Sequence, residues 1–229
     1  MAHLNLVFIG PIQIMPAHRT RVYQTQSHIT DELSKIIMKI KAIALLFTLL
    51  SSTSFALQVS DANFSQTLSA SDKHPELTLN GAALRELYLL VETYAGALYL
   101  EEPSQDASTV INSQQHKKMV FHVLMKRVSA RRLSNALQEA LVLNISKEQH
   151  NHLQPAIDKM LSFFEGSLRH GDQVEFNYSP EKGTEVIIGG ISKGTITSKD
   201  YFDSMLKIWI GENPVTRSFK EQVLGLAGL

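Results

Sequence analysis

The chain has 229 residues, enough for one domain of ordinary size or two small ones. Basic and acidic side chains number 22 each, and there is no cysteine. Those counts exclude a disulfide framework, a thiolate nucleophile, a thiolate zinc or iron–sulfur site, and a general electrostatic attraction to nucleic acid.

Met38 opens the run MKIKAIALLFTLLSSTSFALQVS. Lys39 and Lys41 form a short basic start, Ala42 to Leu50 is uncharged and apolar, and Ser54 and Ala56 are small residues suited to cleavage after Ala56. Basic start, apolar run and small-residue site, in that order, are the layout of a secretory signal peptide. The apolar run is well short of the about 20 residues that a bilayer span needs. Residues 38–56 are therefore read as a signal peptide. Residues 1–37 are read as a non-native N-terminal extension, with translation starting at Met38; a long leader is the alternative. Residues 57–229 are then a single domain, exported to the periplasm, with no stable membrane span after cleavage. That domain has 17 basic and 20 acidic residues, so the neutral total combines a basic leader with a slightly acidic domain.

Within it, residues 57–79 predict a lead-in strand or two, and Asn80-Gly81 is a turn signal. Residues 82–100 fit helix or strand by their period. Their end, Tyr94 to Leu100, reads as a strand with Gly96 at a bulge or a close backbone approach. Ala107–Ile111 is a candidate helical turn. Lys117 to Lys126, a compact apolar run between charges, reads as a central strand. Ser129 caps a helix over 130–143, with Leu133, Ala136, Leu137, Ala140 and Leu141 on one face. Ser146 caps the next, where Pro155 predicts a kink or a later start. Gln173 to Tyr178 alternates as a half-buried strand, followed by strands at 184–188 and 191–196 around a Gly189-Gly190 turn. Helices at 199–210 and 216–224 finish the chain. Strands, two helices, a three-strand meander and two helices make an α+β fold, an antiparallel sheet with helices packed on one side.

Standard catalytic signatures are missing. There is no G-x-S-x-G, G-x-G-x-x-G or P-loop. His150 and His152 sit two apart on a helix, pointing about 200° from each other, so no metal site is expected. Arg131-Arg132 reads as a solvated helix face rather than an anion site. Arg85 differs, because it lies among Leu and Tyr and its guanidinium needs a partner. If its segment pairs with the strand holding Tyr94 and Tyr99, guanidinium and phenol converge in a clamp for a carboxylate or enolate oxygen. The competing reading is a salt bridge from Arg85 to Glu86 or Glu92, with the tyrosines merely packing.

An ordered set of motifs runs through residues 70–226. It comprises LTLNGAALR (77–85), YAGALYL (94–100), GDQVEFNYSPEKGT (171–184), IWIGENP (208–214) and FKEQVLG (219–225). The set resembles bacterial chalcone isomerase-like domains. The resemblance implies an open-faced β-sandwich, a ligand cleft between sheet and helices, and no cofactor. Enzymes of that family use an early Arg and Thr with a later Tyr and Asn. Arg85 matches the Arg and Tyr94 stands near the Thr, while the helix start carries Arg132, Leu133 and Ala140 in place of a Tyr and Asn pair. That departure argues against chalcone cyclisation. A non-catalytic branch binds fatty acids through an Arg and a Tyr, which Arg85 and Tyr94 resemble. The leading expectation is a binder of a small amphipathic carboxylate, such as a fatty acid, with Arg85, Tyr94 and Tyr99 as ligand-binding residues and no metal or cofactor. Two alternatives stay open: a cofactor-free isomerase or intramolecular lyase on a phenolic or unsaturated compound, and a structural domain with a vestigial cleft filled by its own side chains.

Overall fold

The computed structural model describes residues 35, 37–39, 56–88 and 91–227. The chain divides into two units, Met1–Thr53 and Ser54–Leu229. Residues 35 and 37–39 of the first are helical; apart from these and Ala56, the first residue of the second unit's strands, the readings of 1–37 as an extension and 38–56 as a signal peptide fall outside the described residues. The second unit carries the strands Ala56–Val59 (β1), Ala62–Ser65 (β2), Thr67–Leu68 (β3), Leu77–Leu87 (β4), Val91–Leu100 (β5) and Lys117–Val123 (β6). Further strands are Arg127–Ser129 (β7), Ser167–Arg169 (β8), Gln173–Ser179 (β9), Gly183–Ile188 (β10) and Ile191–Ile196 (β11). The helices are Ala107–Asn112 (α1), Ala130–Val142 (α2), Lys147–Ser162 (α3), Lys199–Ile210 (α4) and Arg217–Val223 (α5).

Among the described residues, one antiparallel sheet has the order β11-β10-β9-β6-β5-β4-β3. Strand alternation sends successive side chains to opposite faces. Leu98 and Leu100, Met119 and Phe121, and Val174 and Phe176 point inward to the helices, joining Phe202, Leu206, Trp209 and Phe219 in the main core. Ala95, Ala97, Tyr99 and Val120 point outward, where Ala62 and Phe64 of the β1–β2 hairpin cover them in a smaller core. The architecture is the expected α+β one, a curled antiparallel sheet with helices on one side.

Local departures have local causes. The Asn80-Gly81 turn signal is used as a β-bulge inside β4, where the register slips between Leu79 and Gly81. The Asn80 amide donates to the Val223 carbonyl (2.8 Å), and its side-chain oxygen accepts from the Ser104 N–H (2.7 Å), which ties the strand to α5 and to the loop before α1. Glycine is required at 81 because a Cβ there would lie 2.2 Å from the Gln222 carbonyl oxygen. Gly96 marks a close approach, with the Phe219 ring 2.7 Å from the position of a Cβ. In α3, the helix starts at Lys147 and runs through Pro155 rather than beginning later. The carbonyl of Asn151, which Pro155 cannot bond, belongs to an exposed residue on the solvent side of the helix. Ser129, Ser146 and Ser198 cap α2, α3 and α4 through their hydroxyls, as expected. The short β7–β8 pairing, which the sequence pattern does not announce, ties the entry of α2 to the exit of α3.

Candidate functional site

A second slip in the β4–β5 ladder builds the site. Arg85 faces Tyr94, but Glu86 faces Glu92, so Thr93 is an extra residue in β5. Bulges of this kind re-aim side chains. Thr93 and Tyr94 would alternate in a regular strand; here both line one cavity together with Arg85. The cavity, of about 440 Å³, lies between the inner face of the sheet and α2. Phe121, Val123, Val174 and Phe176 form its floor, and Leu133, Ala136, Leu137 and Ala140 of α2 its roof. The two alanines leave the space that larger residues on that helical stripe would fill. The size falls in the range of small-molecule pockets, and its walls are mainly apolar with a few polar groups converging at one end.

Arg85 is partly buried at that end, and its guanidinium donates only to the backbone carbonyl of the adjacent Glu86. Neither expected carboxylate partner is used. Strand alternation turns Glu86 toward the outer face, and the bulge at Thr93 turns its partner Glu92 the same way, where Glu92 accepts from the Ser60 hydroxyl at 2.6 Å. Among the described residues Arg85 has no ion-pair partner. Lys117 offers a contrast. It is buried and faces inward, six register positions along the sheet from the Arg85–Tyr94 pair. Its ammonium donates to the Ile111 carbonyl (2.8 Å), lies 3.9 Å from Asp203, and sits over the rings of Tyr178 and Phe202. One cation is satisfied by the protein itself and the other is not.

Tyr94 completes the polar end. Trp209 Nε1–H donates to its hydroxyl at 3.1 Å, so the phenol oxygen acts as acceptor within the protein. Its own proton has no acceptor among the described residues. Burial pushes the Tyr94 phenol up to about 12, against the opposing pull of the Trp209 hydrogen bond and the Arg85 charge. It stays protonated at physiological pH and is a hydrogen-bond donor. The ring is held edge-on by Phe121 and Phe219, with centroids 5.3 and 5.8 Å away. Thr93 donates its hydroxyl to the Arg85 carbonyl (2.7 Å), which pins the two strands at the bulge. At the rim, Arg132 and Glu139 are exposed on one flank of α2.

Arg85 and Tyr94 thus share the cavity, and Tyr99 does not. Five residues separate Tyr99 from Tyr94, which puts it on the outer face. There it is buried in the smaller core and donates to the Ser65 carbonyl at 3.0 Å. The expectation that Tyr99 contacts the ligand is corrected on that ground. Thr93, Trp209 and Arg132 were not anticipated as site residues. For Arg132 the helical spacing with Ala136, four residues on, was a usable signal. The cleft is not filled by its own side chains around Arg85, so the vestigial reading loses its support.

A family model described as chalcone isomerase-like matches residues 56–225. Among solved structures, a fatty-acid binding protein from Arabidopsis thaliana is similar, with a TM-score of 0.60 at 18% identity, over 74% of this chain and 96% of that one. At that identity the likeness shows the fold. No curated protein matches by sequence.

Proposed function

The chain belongs to the chalcone isomerase-like family, and we propose that it binds a small amphipathic carboxylate, such as a fatty acid, in the cavity between sheet and α2. One observation carries the reading: a guanidinium without a counterion lines an apolar cavity beside a phenol whose proton is free to donate. A carboxylate supplies what both lack, and the apolar walls accept its tail. Charge-assisted hydrogen bonds of this kind contribute about 1.5–3 kcal/mol. The similar fold of a fatty-acid binding protein supports the assignment. The test is to extract lipid from the purified protein and from Arg85→Ala and compare the fatty acids by mass spectrometry. Equal recovery from both would overturn the proposal.

The second reading, a cofactor-free isomerase or intramolecular lyase, draws on the same donor pair, which could hold an enolate oxygen. Against it, a phenol held at about 12 is poorly matched to proton transfer near neutral pH. A chalcone screen with no rate above the solution reaction removes it. Export to the periplasm is proposed from the sequence of residues 38–56, and N-terminal sequencing of the protein recovered from a periplasmic fraction tests it.

A further inference from the structure

The cavity opens along the exposed flank of α2, where Arg132, Ala136, Glu139 and Leu143 recur at helical spacing. Across this opening is Leu87, the last residue of β4. Just beyond it, Tyr88 is 90% exposed with φ +54°, a left-handed conformation that a bulky side chain avoids. Val91, the cross-strand partner of Leu87, is 47% exposed, and Leu143 is 67% exposed. Large apolar groups are therefore held in water around the mouth of an apolar cavity, and one of them on a strained backbone.

The charge beside this rim is mainly positive, with Glu139 the one acidic side chain that lines the cavity. The N–H groups of Leu124 and Met125 bond to the Thr93 carbonyl, so the chain that follows leaves from beside the bulge. It reads Lys126-Arg127-Val128-Ser129-Ala130-Arg131-Arg132. Its four cations are exposed, and none has a carboxylate partner among the described residues. Val128 and Arg132 in the same run line the cavity. Of the nearby acids, Glu86 and Glu92 face the other side of the sheet, and Asp172 is engaged by the Arg169 backbone N–H. Glu139 lies farther along α2.

We propose that this rim docks the protein on an anionic phospholipid surface, with the mouth of the cavity facing the bilayer. Exposed aromatic and aliphatic side chains flanked by unpaired cations are the chemistry of interfacial lipid binding. Tyrosine in particular suits the boundary, with its ring in the apolar layer and its hydroxyl in water. Docking in this orientation lets a single-chain amphiphile pass between bilayer and cavity without crossing water. The docking stands on the surface alone; its use for ligand exchange rests on the carboxylate-binding reading.

The experiment uses the purified protein with vesicles of phosphatidylcholine alone and of phosphatidylcholine mixed with phosphatidylglycerol. Co-sedimentation is expected with the mixed vesicles only, and high salt weakens it. Neutralising Lys126 and Arg131 (Lys126→Gln with Arg131→Gln) is expected to lower partitioning about 30-fold, from two surface cations. Tyr88→Ser lowers partitioning without altering its salt dependence. None of these positions lines the cavity, so fatty-acid binding measured without vesicles stays at its original level in the same variants. Loss of that binding in all forms would refute the ligand assignment while leaving docking intact. Equal partitioning onto both vesicle types, or full retention by the double variant and by Tyr88→Ser, overturns the docking proposal. So does binding to heparin without binding to vesicles, which would make the cations a site for an acidic polymer.

Discussion

Replacing Arg85 by glutamine separates a ligand contact from a structural one. In the free protein the guanidinium meets only the Glu86 carbonyl, so no ion pair is lost on removing it. A partly buried charge without a partner disfavours the folded state, so Arg85→Gln should leave the melting temperature of the free protein unchanged or raised. Binding behaves oppositely. Loss of charge-assisted hydrogen bonds of about 1.5–3 kcal/mol weakens a carboxylate about 10- to 150-fold. The methyl ester of the same fatty acid has no charge to lose and should weaken only a few-fold. Trp209 is the one tryptophan of the chain, lines the cavity and bonds Tyr94, so its intrinsic fluorescence reports occupancy directly. Titrating wild type and variant with acid and ester gives four constants. If acid and ester weaken equally, or if the free variant melts several degrees lower, Arg85 is structural and the reasoning fails.

Tyr94→Phe removes the acceptor of a buried indole N–H, so it should cost stability by about 1–3 kcal/mol as well as weaken binding; an unchanged denaturation midpoint would refute the Trp209 contact. Ala140→Phe places a ring into the roof of the cavity and should abolish fatty-acid uptake while leaving the melting temperature level or higher, as read by lipid extraction and thermal unfolding. Burial holds the Lys117 ammonium down at about 8, with Asp203 pulling the other way. The unfolded chain keeps that proton to about 10.4, so between about 8 and 10 it binds more protons than the folded one and stability should rise with pH. Above about 10 the slope reverses, because unfolded tyrosines lose protons that buried Tyr94 and Tyr99 retain to about 12. Urea midpoints across this range check the rise, which should vanish in Lys117→Met.

Much of the fold could be read because its signals are local. The serines at 129, 146 and 198 bond the backbone within three residues, so each start needs no tertiary information. The alternation of Val174, Phe176 and Tyr178 reports one buried face directly. What failed depended on partners distant in sequence. Asn80-Gly81 offers a turn on its own, yet α5 sits against it from 143 residues away and holds the backbone extended. The period of residues 82–100 is ambiguous because both of their faces carry apolar residues, inward against the helices and outward against the β1–β2 hairpin.

The site was half legible for the same reason. Alternation alone separates Tyr94 from Tyr99 and sends Glu86 away from Arg85, so half of that cation's unpaired state follows from its neighbours' numbering; Glu92, two residues from Tyr94, would share its face in a regular strand and is turned outward by the bulge. The bulge does not follow, since it exists only in the register between two strands. Tyr94 and Val91 are three apart, and in a regular strand one of them would face outward. Thr93, taken as the extra residue, keeps both on the inner side: Tyr94 beside Arg85 in the cavity, and Val91 paired with Leu87 at its mouth. One unpaired register position therefore joins the polar end of the cavity to its exposed apolar rim. That is why Arg85 can stay without a counterion in a protein that gives Lys117 four partners.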